Sequence, residues 1–316
     1  MTGKEYLASK KWGVFHHYLE SVQGNVQNQY NQHKPFGKLA WSDLVDLFDV
    51  ERLAWSLHQM NAGYYFITLM QGTKFMLAPN ATFDQIAGTK PGEACARRDL
   101  PMELADALSK YNIDLCLYYT GDGPWKDDVA GSRFGFTEPR KDISMDFCKK
   151  WASVLEEYAE RYGDKVKAWW IDGCFRESFG YTEEMFEQYY NVIVKANPQA
   201  LVGFNDGVKR RHEKNYSKET LLCGEFNDFT RVPKSDDVYG GALPHTLAPI
   251  GYNAETMNEY AGWGATGVKR PLDYMVKYIQ AVNRVGGIVT IDVMARADGS
   301  FDPEQEGFLR QLGSRL

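Results

Sequence analysis

Two hydrophobic periods alternate along this chain. Short continuous apolar runs, the mark of strands buried on both faces, fall at residues 13–18, 63–69, 113–119, 166–172, 201–205, 220–226 and 287–293. Apolar residues at helical spacing fill 52–61, 100–111, 143–162, 182–196, 272–285 and 303–316. Enough chain separates successive runs for a crossover helix, which predicts seven or eight β–α units. With no Pro/Gly/Ser linker, composition break or internal repeat, the expectation is one α/β domain over residues 1–316, a (β/α)8 TIM barrel. A doubly wound open sheet is the alternative. No GxGxxG follows the first run, which argues against dinucleotide binding.

The sharpest local feature is Lys167-Ala168-Trp169-Trp170-Ile171-Asp172-Gly173. It is an apolar run that ends abruptly in a carboxylate, and a barrel presents its chemistry at the carboxyl ends of its strands. Asp172 is therefore a candidate catalytic carboxylate, with a strand-end cap as the plain alternative. The other strand-end positions collect His16, His17 and Tyr18, then Gln71, then Tyr118, Tyr119 and Trp125. Asn205, Asp206, Glu225, Asp228, Trp263 and Asp292 follow. Alternation along a strand puts Trp170 on the face of Asp172 and Trp169 on the other. It likewise leaves one of Tyr118 and Tyr119 in the core, and one of His16 and His17 free to line a pocket. Asp292 is expected in the barrel's internal polar structure or orienting another residue. Paired carboxylates with aromatic walls suit glycoside hydrolysis, one as nucleophile or base and the other as acid with a raised pKa.

Composition narrows the choice. The hydrophobic fraction of 44% and charged fraction of 25% are ordinary for a globular protein. An aromatic fraction of 14% is high and fits sugar binding, where a ring lies against the C–H face of a pyranose. A formal net charge of −6 gives no support to nucleic-acid or membrane-surface binding, and Lys209-Arg210-Arg211 reads as a solvated loop. The five cysteines, Cys95, Cys116, Cys148, Cys174 and Cys223, are scattered and odd in number, so neither a disulfide framework nor a zinc site is expected. No metal or organic cofactor is expected. The N-terminus carries no apolar signal-like segment, and no stretch is long enough to span a bilayer; a soluble protein is expected, cytoplasmic or exported with its signal removed.

In their order these segments resemble the alpha-L-fucosidases of glycoside hydrolase family 29. The family's opening K-F-G-I-F-I-H-W-G is similar to Lys11-Trp12-Gly13-Val14-Phe15-His16-His17-Tyr18, and its F-D-x-x-x-W-A…A-G-A-K-Y to Phe48-Asp49 through Trp55 to Ala62-Gly63-Tyr64-Tyr65. Y-Y-S…W resembles Tyr118-Tyr119-Thr120 and Trp125, and W-F-D-G resembles Trp170-Ile171-Asp172-Gly173. G-G-N-L-L-L-N-V…D-G resembles Gly286 to Val293 with Asp298-Gly299. The C-terminal β-sandwich common in the family has no counterpart in this sequence.

The resemblance implies a retaining exo-acting glycosidase that forms a covalent intermediate on Asp172, with an oligosaccharide or glycoconjugate as substrate and an oligomer possible. His17 falls on the family's sugar-binding histidine and Tyr18 on its neighbouring tryptophan. Two positions compete for the acid/base. Glu225 matches the region of G-D-Y-E-T-P-E and stands at a short strand's end. Glu255, ahead of Gly262-Trp263-Gly264, matches W-E-T-C-M…S-W-G; Asp228 is a third candidate. One departure concerns the sugar: where the family carries K-H-H-D-G-F, this chain has Met70-Gln71-Gly72-Thr73-Lys74-Phe75. A site built for one hydroxyl pattern discriminates strongly against others, so the expectation widens to a related sugar such as L-galactose or a modified deoxy sugar. A degenerate barrel that binds glycans without cleaving them is the non-enzymatic alternative.

Overall fold

The computed structural model describes residues 1–24, 39–136, 141, 143–252 and 262–316. Seven strands pair in parallel throughout: β1 (Trp12–His16), β2 (Tyr64–Thr68), β3 (Asp114–Thr120), β4 (Val166–Asp172), β5 (Leu201–Phe204), β6 (His245–Pro249) and β7 (Ile288–Val293). Their order in the sheet is β5-β4-β3-β2-β1-β7-β6. The eighth position is filled by residues 220–226. Thr220 and Leu221 donate their backbone N–H groups to Val202 of β5, while Leu222 and Phe226 donate theirs to Leu243 and Leu247 on the β6 side. The ring closes through this irregular segment as a (β/α)8-type barrel.

Six expected strands and all six expected helices form, with shifted ends. Residues 220–226 make isolated bridges instead of a regular strand. β6 was not anticipated, because His245-Thr246-Leu247-Ala248-Pro249 is neither continuously apolar nor free of proline. The helices start where polar side chains cap them: Asp49, Asp99, Ser144 and Asp302 each accept from the backbone N–H three residues on.

The two faces of the strands build two cores. Outward residues such as Val14, Tyr65, Leu117, Tyr119, Trp169, Val202, Val289 and Ile291 pack under the helices. Inward residues such as Phe15, Tyr64, Phe66, Cys116, Tyr118, Ala168, Trp170, Leu221, Cys223 and Leu247 fill the barrel. The helix Gly3–Ser9 contributes Leu7 to that interior, so it plugs the amino-terminal end. The opposite end, where the strands finish, stays available for chemistry.

Candidate active site

β4 delivers Asp172 to the mouth of the barrel, on the inward face it shares with Trp170. The turn that follows needs glycine: Gly173 has φ of 73°, and a Cβ there would lie 2.4 Å from the Asp122 carboxyl carbon. Both oxygens of Asp172 accept hydrogen bonds. Tyr118, one strand over on β3, donates its hydroxyl to Oδ2 at 2.5 Å, and Asn205, just past β5, donates its amide to Oδ1 at 2.7 Å.

The same Asn205 Nδ2 donates to Glu225 Oε2 at 2.5 Å. One amide nitrogen thus holds two carboxyl groups, and their bonded oxygens lie at most about 5 Å apart, closer to the roughly 5–5.5 Å spacing of retaining glycosidases than to the roughly 6.5–9.5 Å of inverting ones. The surroundings of Glu225 favour its neutral form. Burial first, and the nearby Asp172 charge second, push its pKa up to about 8, although the Asn205 bond and Lys209 oppose the shift. A carboxyl group protonated at neutral pH can act as a general acid.

Around this pair the described residues assemble an aromatic wall. Trp170 stacks on Tyr118 at a centroid distance of 5.2 Å. Gln71 donates Nε2 to the Tyr118 hydroxyl at 2.9 Å, and its buried Oε1 has no hydrogen-bond partner among the described residues. His17 packs edge-on against Trp263 at 5.7 Å and Tyr118 at 5.8 Å. Trp125 lies over Gly72, beside Gln71, with the Lys126 ammonium 4.9 Å from its ring.

Other expected residues are placed elsewhere. β1 ends at His16, whose ring turns outward to within 3.0 Å of the Tyr65 hydroxyl and against Phe301; burial pushes its pKa down to about 3. Tyr18 packs on Trp41 and Phe48 and donates to the Ala297 carbonyl at 2.6 Å. Tyr119 stacks on Trp151 under the helices. Burial raises the pKa of Asp228, but bonds from Arg270 and Lys269 outweigh it and hold the group ionised, which suits an ion pair and not an acid catalyst. Glu255 lies outside the described residues. The basic run 209–211 divides: Arg211 is solvated, whereas Lys209 is buried, pairs with Asp206 and donates its backbone N–H to the Glu225 carbonyl.

Asn205 had a strand-end position but no expected role in the pocket, and Asp292, expected in the internal polar structure or orienting another residue, lies 2.6 Å from His17 Nδ1. Their signal was the inward alternation of residues 201, 203 and 205 and of 288, 290 and 292. Among the described residues no group of His, Cys, Asp or Glu could hold a metal ion, and no helix is long and apolar enough to cross a membrane.

The alpha-L-fucosidase family model matches residues 4–316. No curated protein matches the sequence. Among solved structures, an alpha-L-fucosidase of glycoside hydrolase family 29 from Bacteroides thetaiotaomicron aligns with a TM-score of 0.66 and 17% identity, over 99% of this chain and 72% of that one. The same organism's enzyme, trapped as a covalent intermediate with 2-fluoro-fucosyl fluoride, aligns at 0.66 and 18%, over 99% and 74%. The Lactobacillus casei alpha-L-fucosidase in complex with its alpha-L-fucose product aligns at 0.67 and 17%, over 99% and 97%. Identities this low speak for the shared fold.

Proposed function

Because the chain belongs to the alpha-L-fucosidase family and is a glycoside hydrolase, we propose that it cleaves its substrate with retention, using Asp172 as nucleophile and Glu225 as acid/base. The observation that carries this reading is the Asn205 amide shared between the two carboxyl groups. The shared amide keeps the two groups close, which supports retention, and burial beside Asp172 favours the protonated form of Glu225.

In the first step an Asp172 oxygen bonds to the anomeric carbon. The bond to the leaving oxygen breaks as Glu225 transfers its proton there. In the second step the Glu225 carboxylate takes a proton from water, the water oxygen bonds to the anomeric carbon, and Asp172 departs as a carboxylate. Tyr118 and Asn205 hold the nucleophile in place. His17, Gln71, Tyr118, Trp125, Trp170 and Trp263 form the sugar-binding wall, and the substrate is the α-L-fucosyl end of an oligosaccharide or glycoconjugate.

A specific observation favours a second sugar. At the positions of the family's two histidines, Gln71 is committed to Tyr118 and Gly72 has no side chain, so hydroxyl recognition here differs from that pattern. Turnover of an aryl α-L-fucoside beside a panel including aryl L-galactosides and other deoxy-sugars separates the readings. Fucoside turnover supports the first, a preference for another member supports the second, and binding without turnover would leave a glycan-binding barrel. Azide rescue distinguishes the acid/base: a glycosyl azide is expected from Glu225→Ala, and its appearance only with Glu255→Ala would move the role there.

A further inference from the structure

Behind the sugar-facing wall lies a carboxylate that touches neither Asp172 nor Glu225. Asp292 stands on the inward face of β7, one alternation beyond Thr290, and is fully buried. Its two oxygens have separate tasks. Oδ1 lies 2.6 Å from His17 Nδ1, and Oδ2 accepts the Gly264 backbone N–H at 2.9 Å. Its own carbonyl accepts from Ile250, just past β6. One residue thus ties together the end of β1, the turn that carries Trp263 and the end of β6.

We propose that Asp292 is a positioning residue that sets the chemical identity of His17 toward the sugar. An ionised carboxylate only accepts, and Oδ1 lies 2.6 Å from Nδ1, so His17 carries its proton on Nδ1. Nε2, on the other edge of the ring, is then a lone-pair acceptor. An acceptor at that edge takes a hydrogen bond from a sugar hydroxyl. Oδ2 meanwhile fixes the turn that holds Trp263 edge-on to the same imidazole, so the polar and the apolar contact to the sugar share one anchor. This inference rests on the glycosidase reading for the sugar but not for the tautomer.

The substitution Asp292→Asn is informative because an amide has one acceptor and one donor end. With its oxygen kept on the Gly264 N–H, its NH2 faces His17 Nδ1 and drives the proton to Nε2, turning the acceptor into a donor. The test is histidine ring 15N–1H NMR on the full chain at pH 8, with the His17 signals assigned by their loss in His17→Gln. The expected result is an Nδ1–H tautomer in the wild type and an Nε2–H tautomer in Asp292→Asn. On the best aryl glycoside, KM should rise about tenfold with kcat changed less than about threefold, as when ground-state and transition-state binding are lost equally. An Nε2–H or doubly protonated His17 in the wild type overturns the proposal, and so does an unchanged tautomer in a folded Asp292→Asn. Should that variant not fold, the wild-type tautomer still decides. Should no glycoside be turned over, the glycosidase reading fails while the NMR result stands by itself.

Discussion

Asn205 gives each of two carboxyl groups one hydrogen of a single amide, and this has consequences in pH. With Glu225 as the proposed acid, kcat/KM should fall as pH rises past about 8, the value to which burial and the Asp172 charge bring that group. The Asn205 bond opposes this rise, so Asn205→Ala should move the alkaline limb to higher pH while lowering kcat/KM by about 10²-fold or more. A pH–rate profile of both proteins checks it, and a limb that moves down would contradict the arrangement. Stability follows the same proton. Unfolded, Glu225 ionises near its usual 4.5; folded, it keeps the proton up to about 8. Between these values the folded state binds more protons, so the stabilisation is full below the lower value and is lost as pH rises through the upper one. Denaturant unfolding at pH 5 and pH 8 should show a larger loss in the wild type than in Glu225→Gln. At this scale the place of Asp172 at the mouth of the barrel was legible, since an apolar run ending in a carboxylate puts that group at the carboxyl end of a strand. Alternation alone left open which of His16 and His17 faces inward, because that depends on the residue at which β1 stops; only the family resemblance pointed to His17.

Among the elements, the segment 220–226 has the most to do with the least regularity. It closes the barrel between β5 and β6 through a handful of backbone bonds, and Glu225 rides on it. Its shape depends on Gly224, which has φ of 56° and whose added Cβ would lie 1.8 Å from the His245 carbonyl oxygen. Gly224→Ala should therefore cost about 2–4 kcal/mol of stability and displace Glu225, so that turnover falls even at temperatures where the variant is folded. Thermal unfolding and turnover measured together check this; full activity in the variant would show that the segment does not position the acid. The run itself was visible as apolar sequence, but its neighbour β6 was not. The sharing of Asn205 between Asp172 and Glu225 depends on β4, β5 and this segment lying side by side, which is a property of the closed ring and of no single stretch of sequence.

The whole molecule separates stability from chemistry along the barrel axis. Asp172, Glu225, His17 and Trp263 gather where the strands end, whereas the helix Gly3–Ser9 seals the far end by burying Leu7 among Tyr64, Leu201 and Ile288. Leu7→Ala should lower stability by about 2–4 kcal/mol and leave KM unchanged, a split that denaturant titration and steady-state kinetics would reveal. The count of β–α units was readable from hydrophobic periodicity because each parallel strand is buried on both faces. The plug was not, since seven residues of helix carry too little pattern. Covalent glycosylation of Asp172 is read out by incubating the full chain with the 2-fluoro glycosyl fluoride of its best sugar and locating the adduct by peptide mass spectrometry. One fluoroglycosyl group per chain, on the peptide containing Asp172 and absent from Asp172→Asn, is the predicted result. A label on another residue, or an unlabelled enzyme that releases a product of inverted anomeric configuration, would contradict it.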